Sequence, residues 1–441
     1  MCHQYNCDSG AVHRSFHMSS DERLYASRHP IKEWTAPERL ALASLLHGGP
    51  IPDITQYRVL EIGCGAGANL IPLAYYRPQA QFIGIDQDGA EVGLASARST
   101  ALNQPNLSFR RADRDRVEDW PEGPFDFILM HDTTSRVPTE ILDQVFDRCS
   151  KSLSPTGLLY LNYDSQPGWQ IRGLVREYLL AHTREVTHKP TQTRQAQLAA
   201  VKMMRSLEGS KHPYSQLLAL EFKQVSDASP DELGHTYLSD HQRAFWRSDL
   251  LDWAKQFGLH YVADVDDNAA TQRSNAFLRK QIESQDLIGT NLPDTEDLLS
   301  YRMNHMPLFC KQPIKIRQPS PENMAHLHIA ACLRPVGPHR PGWYQHPNGY
   351  QLQASETALV EVFEQLLPKW PQCAPLATLM ETWEQHIDDI LELHQSGLLE
   401  LRLPNAIVVP DSPNLNTLNQ MELQWFRHYT TPLHQQVSKR S

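Results

Sequence analysis

Tyr57-Arg-Val-Leu-Glu-Ile-Gly-Cys-Gly-Ala-Gly-Ala-Asn69 is the stretch whose reading decides the fold. Val59, Leu60 and Ile62 form a short apolar run bounded by glycine, the pattern of a strand buried on both faces of a parallel sheet. Gly63, Gly65 and Gly67 then permit backbone conformations and close approaches that a Cβ would forbid. A ligand can therefore lie against the main chain where the strand turns into a helix predicted to begin near Asn69. Working outward, strands and helical stretches alternate from Ile54 to Tyr163, as a doubly wound α/β sheet requires. The strands are predicted at Val59 to Ile62, Phe82 to Ile85, Leu107 to Arg110, Phe125 to Met130 and Leu158 to Leu161. Glu91 to Ser99 and Glu140 to Leu153 read as intervening helices, the second closed by a turn at Ser154-Pro-Thr-Gly157.

The ligand is the next decision, because Gly63, Gly65 and Ala68 also satisfy the dinucleotide pattern G-x-G-x-x-G/A, a weak match by itself. Two features favour S-adenosylmethionine. Glu61 stands two residues before the first glycine, where a carboxylate suits the methionine end of that cofactor and is badly placed beside a pyrophosphate. Later strands also end in acids. Gln81-Phe-Ile-Gly-Ile-Asp86 offers a carboxylate that can accept both hydroxyls of a ribose, and Leu107-Ser-Phe-Arg-Arg-Ala-Asp113 offers one to an adenine amino group.

Glu61-Ile-Gly-Cys-Gly-Ala-Gly67, Asp86 and Ala112-Asp113 resemble motifs I, II and III of class I S-adenosylmethionine-dependent methyltransferases. Asn69-Leu-Ile-Pro72, His131, Ser135-Arg-Val-Pro138 and Tyr160-Leu-Asn-Tyr-Asp-Ser-Gln-Pro-Gly-Trp169 narrow the resemblance to the subgroup whose core is followed by a methyltransferase regulatory domain. That subgroup includes bacterial protein lysine methyltransferases acting on outer-membrane protein. The resemblance covers about residues 20–185 and continues more loosely to about 316, through His235-Thr-Tyr-Leu238, Phe245, Trp246 and Leu298 to Cys310. It implies an S-adenosyl-L-methionine site built from Tyr25, Glu61, Gly63, Cys64, Gly65, Gly67, Asn69, Asp86, Gln87, Ala112, Asp113 and His131. Tyr25 and His29-Pro30 resemble the segment that folds over the cofactor as a lid. The chain departs from the subgroup at Asp240-His-Gln-Arg243, where a Glu/Asn/Pro turn is usual, and at Arg136, where an aromatic is common.

The fourth strand, Phe125-Asp-Phe-Ile-Leu-Met-His131-Asp132, delivers two polar residues to the carboxyl end of the sheet, where such folds bind ligands. His131 reads equally as a strand-end hydrogen-bonding group and as a proton acceptor. Asn162, Tyr163, Asp164 and Trp169 follow the fifth strand and are candidates to line an acceptor pocket. His131 and Tyr163 are the candidate catalytic residues. The chemistry asks little more, since a sulfonium methyl is already activated and the enzyme mainly aligns donor and nucleophile and excludes water.

Composition sets the outer bounds. With 441 residues, two or three domains are expected. The hydrophobic fraction of 40% and the lack of a long apolar run predict a soluble chain, and a polar Met1 to Ser20 without signal-peptide character predicts the cytoplasm. Seven cysteines, an odd number, do not form a disulfide framework. A net charge of −10 argues against generic nucleic-acid binding, and the cluster Arg110, Arg111, Arg114 and Arg116 is interleaved with acids. Cys2, Cys7, His13 and His17 are too closely spaced for a zinc finger, so no metal is expected.

Four segments are expected: a disordered terminus (1–20), the cofactor-binding core with its lid (21–185), a mainly helical regulatory or dimerisation domain (186–316), and a small winged-helix-like domain with a tail (317–441). In the third, Gln192 to Leu207 and Tyr214 to Val225 read as helices, and Ser248 to Gly258 as a helix capped by Ser248, before a strand from Leu259 to Ala263. In the fourth, helices are expected at Glu322 to Leu333, Ser355 to Leu367 and Leu376 to His394, with strands around Leu401 and at Ala406 to Val409. Pro335 to Tyr350 reads as a linker. The nucleoside pocket is expected to lie wholly within the core. Three functions fit: methyl transfer to a protein, with a lysine amine favoured; methyl transfer to a small-molecule or natural-product acceptor; and a non-catalytic cofactor-binding scaffold. A homodimer through the middle helices is also expected.

Overall fold

The computed structural model describes residues 32–441 except 114–115, 266–291, 316–318, 347–350, 355–356, 371, 380–382, 405–415, 426–427, 433, 435 and 439–441. Tyr25, the cysteines and histidines of the N-terminal stretch and the expected strand at 406–409 lie outside the described residues. Helix α1 (Pro37–Leu46) precedes β1 (Arg58–Ile62), α2 (Leu70–Tyr75), β2 (Gln81–Asp86), α3 (Gly89–Ala101), β3 (Leu107–Arg111), β4 (Phe125–Met130), α4 (Thr139–Ser152) and β5 (Leu153–Leu161). β1 pairs in parallel with β2 on one side and β4 on the other, β3 extends the first half and β5 the second. Strand order therefore reverses between β1 and β4, and a crevice opens at their carboxyl ends. Val59, Leu60 and Ile62 are buried, as strands covered by helices on both faces must be.

The turn expected at Ser154 to Gly157 is not there. Helix α4 stops at Ser152 and the chain turns extended at Leu153 (φ −71°, ψ 144°). The irregularity at 154–157 takes the form of a bulge, the pairing of β4 with β5 jumping from Phe125 and Leu153 to Phe127 and Leu158. Gly157 is required for a different reason: a Cβ there would stand 2.8 Å from the carbonyl oxygen of Phe125. The glycine lets neighbouring strands close up.

Beyond β5 come β6 (Tyr163–Asp164) and four helices, α5 (Gln170–Thr183), α6 (Lys189–Leu207), α7 (Pro213–Asp227) and α8 (Pro230–Tyr237). They bury a separate core that includes Leu179, Ala200, Phe222 and Leu233. Helix α9 (Arg247–Gln256), β7 (His260–Asp264), α10 (Leu292–Ser300), β8 (Asn304–His305) and β9 (Pro307–Cys310) follow. β9 runs antiparallel between β5 and β7 and completes a seven-stranded sheet of order β3-β2-β1-β4-β5-β9-β7. Residues 260–264 and 307–310, expected within the middle domain, thus belong to the core sheet, and the helical layer is an insertion between β5 and β7. Ser248 does not cap α9, which starts one residue earlier; its hydroxyl donates to Asp294 instead, at 2.5 Å. Gly258 (φ +71°) does close that helix.

The C-terminal region departs furthest from its sequence reading. Only α11 (Pro321–Met324) of the helix expected to reach Leu333 forms; the chain then enters β10 (His328–Ala330). The expected linker carries a three-stranded antiparallel sheet of β11 (Arg334–Pro335), β12 (Trp343–Gln345) and β13 (Gln351–Gln353). Next come α12 (Thr357–Leu366), β14 (Ala374–Pro375), the short α13 (Leu376–Leu379), α14 (Ile387–Gln395) and β15 (Glu400–Arg402), so the helix expected from Leu376 to His394 is broken. β15 and β14 both pair with β10. Leu399, Leu401 and Leu403 are buried in the expected alternation. Met324, Ile329, Phe363 and Leu401 share one apolar cluster with Leu40 of α1 and with Val59 and Phe127 of the sheet.

The expected polar tail is structured as well. It holds α15 (Thr417–Trp425), β16 (His428–Thr430) and β17 (Gln436–Ser438). The side-chain amides of Asn416 and Asn419 donate to Tyr76 Oη at 2.8 and 3.2 Å, and that hydroxyl donates to the carbonyl of Thr430 at 3.0 Å. No helix among the described residues is long and apolar enough to cross a membrane.

Candidate active site

The crevice holds a cavity of about 400 Å³ between the carboxyl ends of β1, β2 and β4 and the helical layer. Its floor is the glycine turn. Gly63, Gly65 and Gly67 have φ of +81°, +50° and +76°, conformations that L side chains rarely adopt. A Cβ at Gly63 would stand 2.5 Å from Thr133 Oγ1, and one at Gly67 would stand 2.7 Å from Phe109 Cζ. Gly63 and Cys64 donate their N–H groups to the carbonyl of Ile85, tying the turn to β2. Burial pushes the Cys64 thiol well above its usual pKa, which argues against a nucleophile there.

Two acids stand in this floor in opposite conditions. Asp86 is half-buried and already accepts from the N–H groups of Gly65 and Asp88, both at 2.9 Å. Glu61 is buried. Its Oε1 accepts from the amide of Asn69 at 2.9 Å, but Oε2 is buried without a partner. Burial, against the Asn69 hydrogen bond and the positive charge of Lys32, pushes its carboxyl up to about 8. A buried carboxylate oxygen without a donor and a cradle that no Cβ could share fit a nucleoside carrying a cationic amino acid.

Asn69 joins several parts of the chain. Its Oδ1 accepts from the backbone N–H of Lys32 at 3.0 Å and from Nε2 of the buried His434 at 2.8 Å. The pocket is therefore not built by residues 21–185 alone, because the C-terminal segment supplies a partner to the side chain that holds Glu61.

At the end of β4, His131 Nδ1 lies 2.7 Å from the hydroxyl of the fully buried Tyr160, and the two rings stack at 8°. Asp132 adopts φ +53°, a left-handed conformation that Asp tolerates better than most residues. Its Oδ2 is 3.3 Å from Lys32 Nζ and 3.7 Å from His131 Nε2. Desolvation would raise the Asp132 carboxyl, but the charges of His131, Lys32 and Arg136 outweigh it and hold the group well below the usual range. Arg136 donates to the carbonyl of Asp132 at 2.7 Å, so the residue standing in place of an aromatic braces this loop.

Of the residues expected from sequence, Glu61, Gly63, Cys64, Gly65, Asn69, Asp86, Gln87, Ala112 and His131 line the cavity. Gly67, in the same turn, is not in the lining and packs against Phe109, Ala95 and Ile71. Asp113 lies outside the lining: its side chain faces Arg111 at 3.9 Å, while its carbonyl accepts from Trp120 Nε1. Trp120 itself lines the cavity, together with Lys32, Thr133 and Arg136, and with Gly234, His235 and Ser239 to His241 from the helical layer. Sequence reasoning missed Gly234, His235 and Ser239 to His241 because their approach depends on the insertion folding back, and Lys32, Trp120 and Thr133 because they lie outside the motifs. The departure at Asp240-His241 was the available signal.

Tyr163, expected to be catalytic, is placed elsewhere. Its ring is buried, stacked on His305 with centroids 5.4 Å apart and edge-on to Phe245. Asn162, Asp164 and Trp169 are likewise absent from the described cavity wall. His305 forms the centre of a second buried cluster. Its Nδ1 meets Asp264 at 2.9 Å and its Nε2 meets Asp297 at 2.7 Å. Arg247 and Arg302 each stand 3.9 Å from Asp264. Burial lowers the His305 pKa, but the two carboxylates raise it further, and the net direction is up. Among the described residues, no group of three His, Cys, Asp or Glu side chains is arranged to hold a metal ion.

Comparison with known proteins agrees with this geometry. Residues 59–157 match the family model described as a methyltransferase domain. The chain is 29% identical to the uncharacterized protein RP789 of Rickettsia prowazekii over 287 residues, 64% of this chain and 51% of that protein. It thus spans about half the length of that relative. A second uncharacterized protein of the same organism, RP028, is 28% identical over 208 residues, 47% of this chain and 82% of that protein. The fold is shared with PKMT2 from Rickettsia typhi, whose structure superposes with a TM-score of 0.75 at 20% identity and covers 93% of this chain and 85% of that one. PKMT2 has also been solved in complex with AdoHcy.

Proposed function

We propose that this S-adenosylmethionine-dependent methyltransferase, with its class I core, acts on a protein amine, the side chain of lysine being the acceptor. The observation that carries this reading is the His131 and Asp132 pair at the cavity mouth. An amine arrives as an ammonium ion and must lose a proton before it can attack. Asp132, held ionised by its neighbours, attracts the cation. In the neutral tautomer whose Nδ1–H donates to Tyr160, Nε2 carries the lone pair on the Asp132 side and can take the proton, and the imidazolium so formed adds to the charges that hold Asp132 ionised.

When bound, the cofactor supplies an electrophilic methyl group on a sulfonium. The chain's residues hold and orient it. Glu61 Oε2 would accept from the cationic amino group, Asp86 would accept from the ribose hydroxyls, and Ala112 and Trp120 would flank the base. Asp113, the residue expected to bind the adenine amino group, is replaced in this reading by the Trp120 face.

Cavity size supports a macromolecular acceptor. Sites for small molecules range from about 300 to 1,000 Å³, so 400 Å³ leaves little room to enclose a nucleoside donor and a second complete molecule. A side chain entering past the helical layer needs only the mouth. The motif resemblance to bacterial protein lysine methyltransferases supports the same acceptor. Incubation of a lysate with isotopically labelled methyl donor, followed by hydrolysis and mass analysis, should yield labelled ε-N-methyllysine. Label confined to small metabolites would favour the small-molecule reading, and AdoHcy binding without any transfer would favour the scaffold.

Leu198, Leu217 and Leu220 of α6 and α7 are 53%, 47% and 62% exposed. This apolar face supports the homodimer. Light scattering at micromolar concentration that returned a single mass of 50.3 kDa would remove it.

A further inference from the structure

We infer that Lys32 is methylated by its own chain, in cis, at Nζ. The inference rests on the amine-acceptor reading, and its failure can be told apart from the failure of that reading. Lys32 lines the cavity with Glu61, Gly63 and His131. Its backbone N–H is fixed to Asn69 Oδ1 at 3.0 Å, beside the Glu61 end of the cradle. Its side chain reaches across to Asp132, where Nζ stands 3.3 Å from Oδ2. Asp132 Oδ2 is also the oxygen nearest His131 Nε2, at 3.7 Å. The ammonium of Lys32 therefore stands where the acceptor ammonium of a substrate is expected, and its field reaches Glu61 on the donor side.

A structural role explains this placement poorly. The Lys32 and Asp132 side chains are 23% and 38% exposed, and a pair of that kind contributes about 0–1 kcal/mol. The flexible stem lets the amine turn within the cavity. Being tethered, it competes with any external lysine at a millimolar-range effective concentration, on the order of that for short linkers. In the transfer, the ammonium first loses its proton to His131 Nε2, the acceptor for a substrate amine as well. The Nζ lone pair then forms the N–C bond while the S–C bond breaks, its electron pair remaining on sulfur, so that S-adenosylhomocysteine leaves. Monomethylated Lys32 keeps its positive charge but has one hydrogen-bond donor fewer for Asp132.

The full chain, incubated with isotopically labelled methyl donor, is analysed by peptide mass mapping beside the lysate assay and calorimetric titration with AdoHcy. The expected result is label on the Lys32 peptide, gained at a first-order rate that does not change on dilution, and lost in Lys32→Arg. An Asp86→Ala chain mixed with wild type should stay unlabelled at Lys32. Rates that rise with protein concentration, or label on that second chain, would overturn the cis assignment. Labelled lysate proteins without label on Lys32 would overturn the inference and leave the amine reading standing. Label on Lys32 alone would keep the inference and remove the external protein acceptor. If Lys32→Ala binds AdoHcy about tenfold or more weakly and wild type gains no label at Lys32, the residue is a cofactor anchor and the inference fails.

Discussion

Two sets of buried acids, one at the end of β1 and one where β7, α10 and β8 meet, behave oppositely. In the cradle, Glu61 keeps one oxygen without a donor, and burial drives its carboxyl up to about 8. Around His305 the acids are served: Asp264 receives His305 and the backbone N–H of Met306, and Asp297 receives His305 and Ser165. A satisfied buried network ties β7, α10 and β8 together and specifies structure. An unsatisfied one leaves chemistry for a ligand to complete. The contrast separates the site from the scaffold where burial and charge alone would not.

Breaking the satisfied cluster should have the largest effect. His305→Leu leaves two buried carboxylates without their shared partner and should cost about 3–5 kcal/mol of unfolding free energy. Denaturant titration reads this, and AdoHcy affinity of the folded fraction should stay close to wild type. Cofactor affinity lost as steeply as stability would merge the two clusters into one.

Asp86→Ala comes next. Loss of a carboxylate that would bind the ribose should weaken AdoHcy by roughly 2–4 kcal/mol, about thirtyfold or more. Because Asp86 also accepts from Gly65 and Asp88, part of that loss reflects a loosened turn. Asp86→Asn isolates the charge. Unchanged calorimetric affinity in both variants would remove Asp86 from the site.

Glu61→Gln sharpens the contrast from the other side. It should weaken AdoHcy by about 1.5–3 kcal/mol while leaving the ligand-free fold as stable as wild type or about 1 kcal/mol more stable, since an uncompensated buried carboxyl is gone. A large loss of ligand-free stability would show that Glu61 is structural.

Smaller effects follow from pH. Glu61 binds a proton more readily folded than unfolded, so its contribution to ligand-free stability falls as pH rises from the usual carboxyl range through about 8. His305, also raised, stabilises fully below its unfolded value and loses that contribution as pH climbs through its folded one. Both signs predict a ligand-free protein less stable at alkaline pH. A cationic ligand at Glu61 lowers that carboxyl's pKa, so binding near neutrality should release up to one proton. Affinity should then rise as pH rises, by up to about tenfold per unit, until pH passes about 8. Calorimetry in buffers of different ionisation enthalpy measures the proton count, and zero would remove Glu61 as the cationic contact.

The cradle was legible because its parts are local. A buried strand, three glycines and an acid at the next strand end lie within 30 residues, each answering to a short-range rule. Asp113 misled because a strand-end acid need not turn inward, and here Arg111 and solvent hold it. Tyr163 misled for a related reason: position after β5 fixed its approach to the sheet end, but β8 pairing placed His305 on its ring. Lys32, Trp120 and His241 reach the cavity through tertiary folding that no local period encodes. The helix read at Glu322 to Leu333 failed because antiparallel pairing of β10 with β14 and β15 won over helical spacing.

The bond between His434 and Asn69 spans 365 residues of sequence. At synthesis rates of 5–20 residues per second, Asn69 would leave the ribosome roughly 20 to 70 seconds before His434 is made. During that interval the glycine turn can form while one partner of the side chain steadying Glu61 has yet to exist. A nascent chain would thus pass through a stage with the glycine turn formed and the donor pocket still loose, and transfer competence would wait for the segment that carries His434. Messenger truncations that spare every motif of the core would then accumulate proteins shaped like the enzyme yet poor at holding its methyl donor.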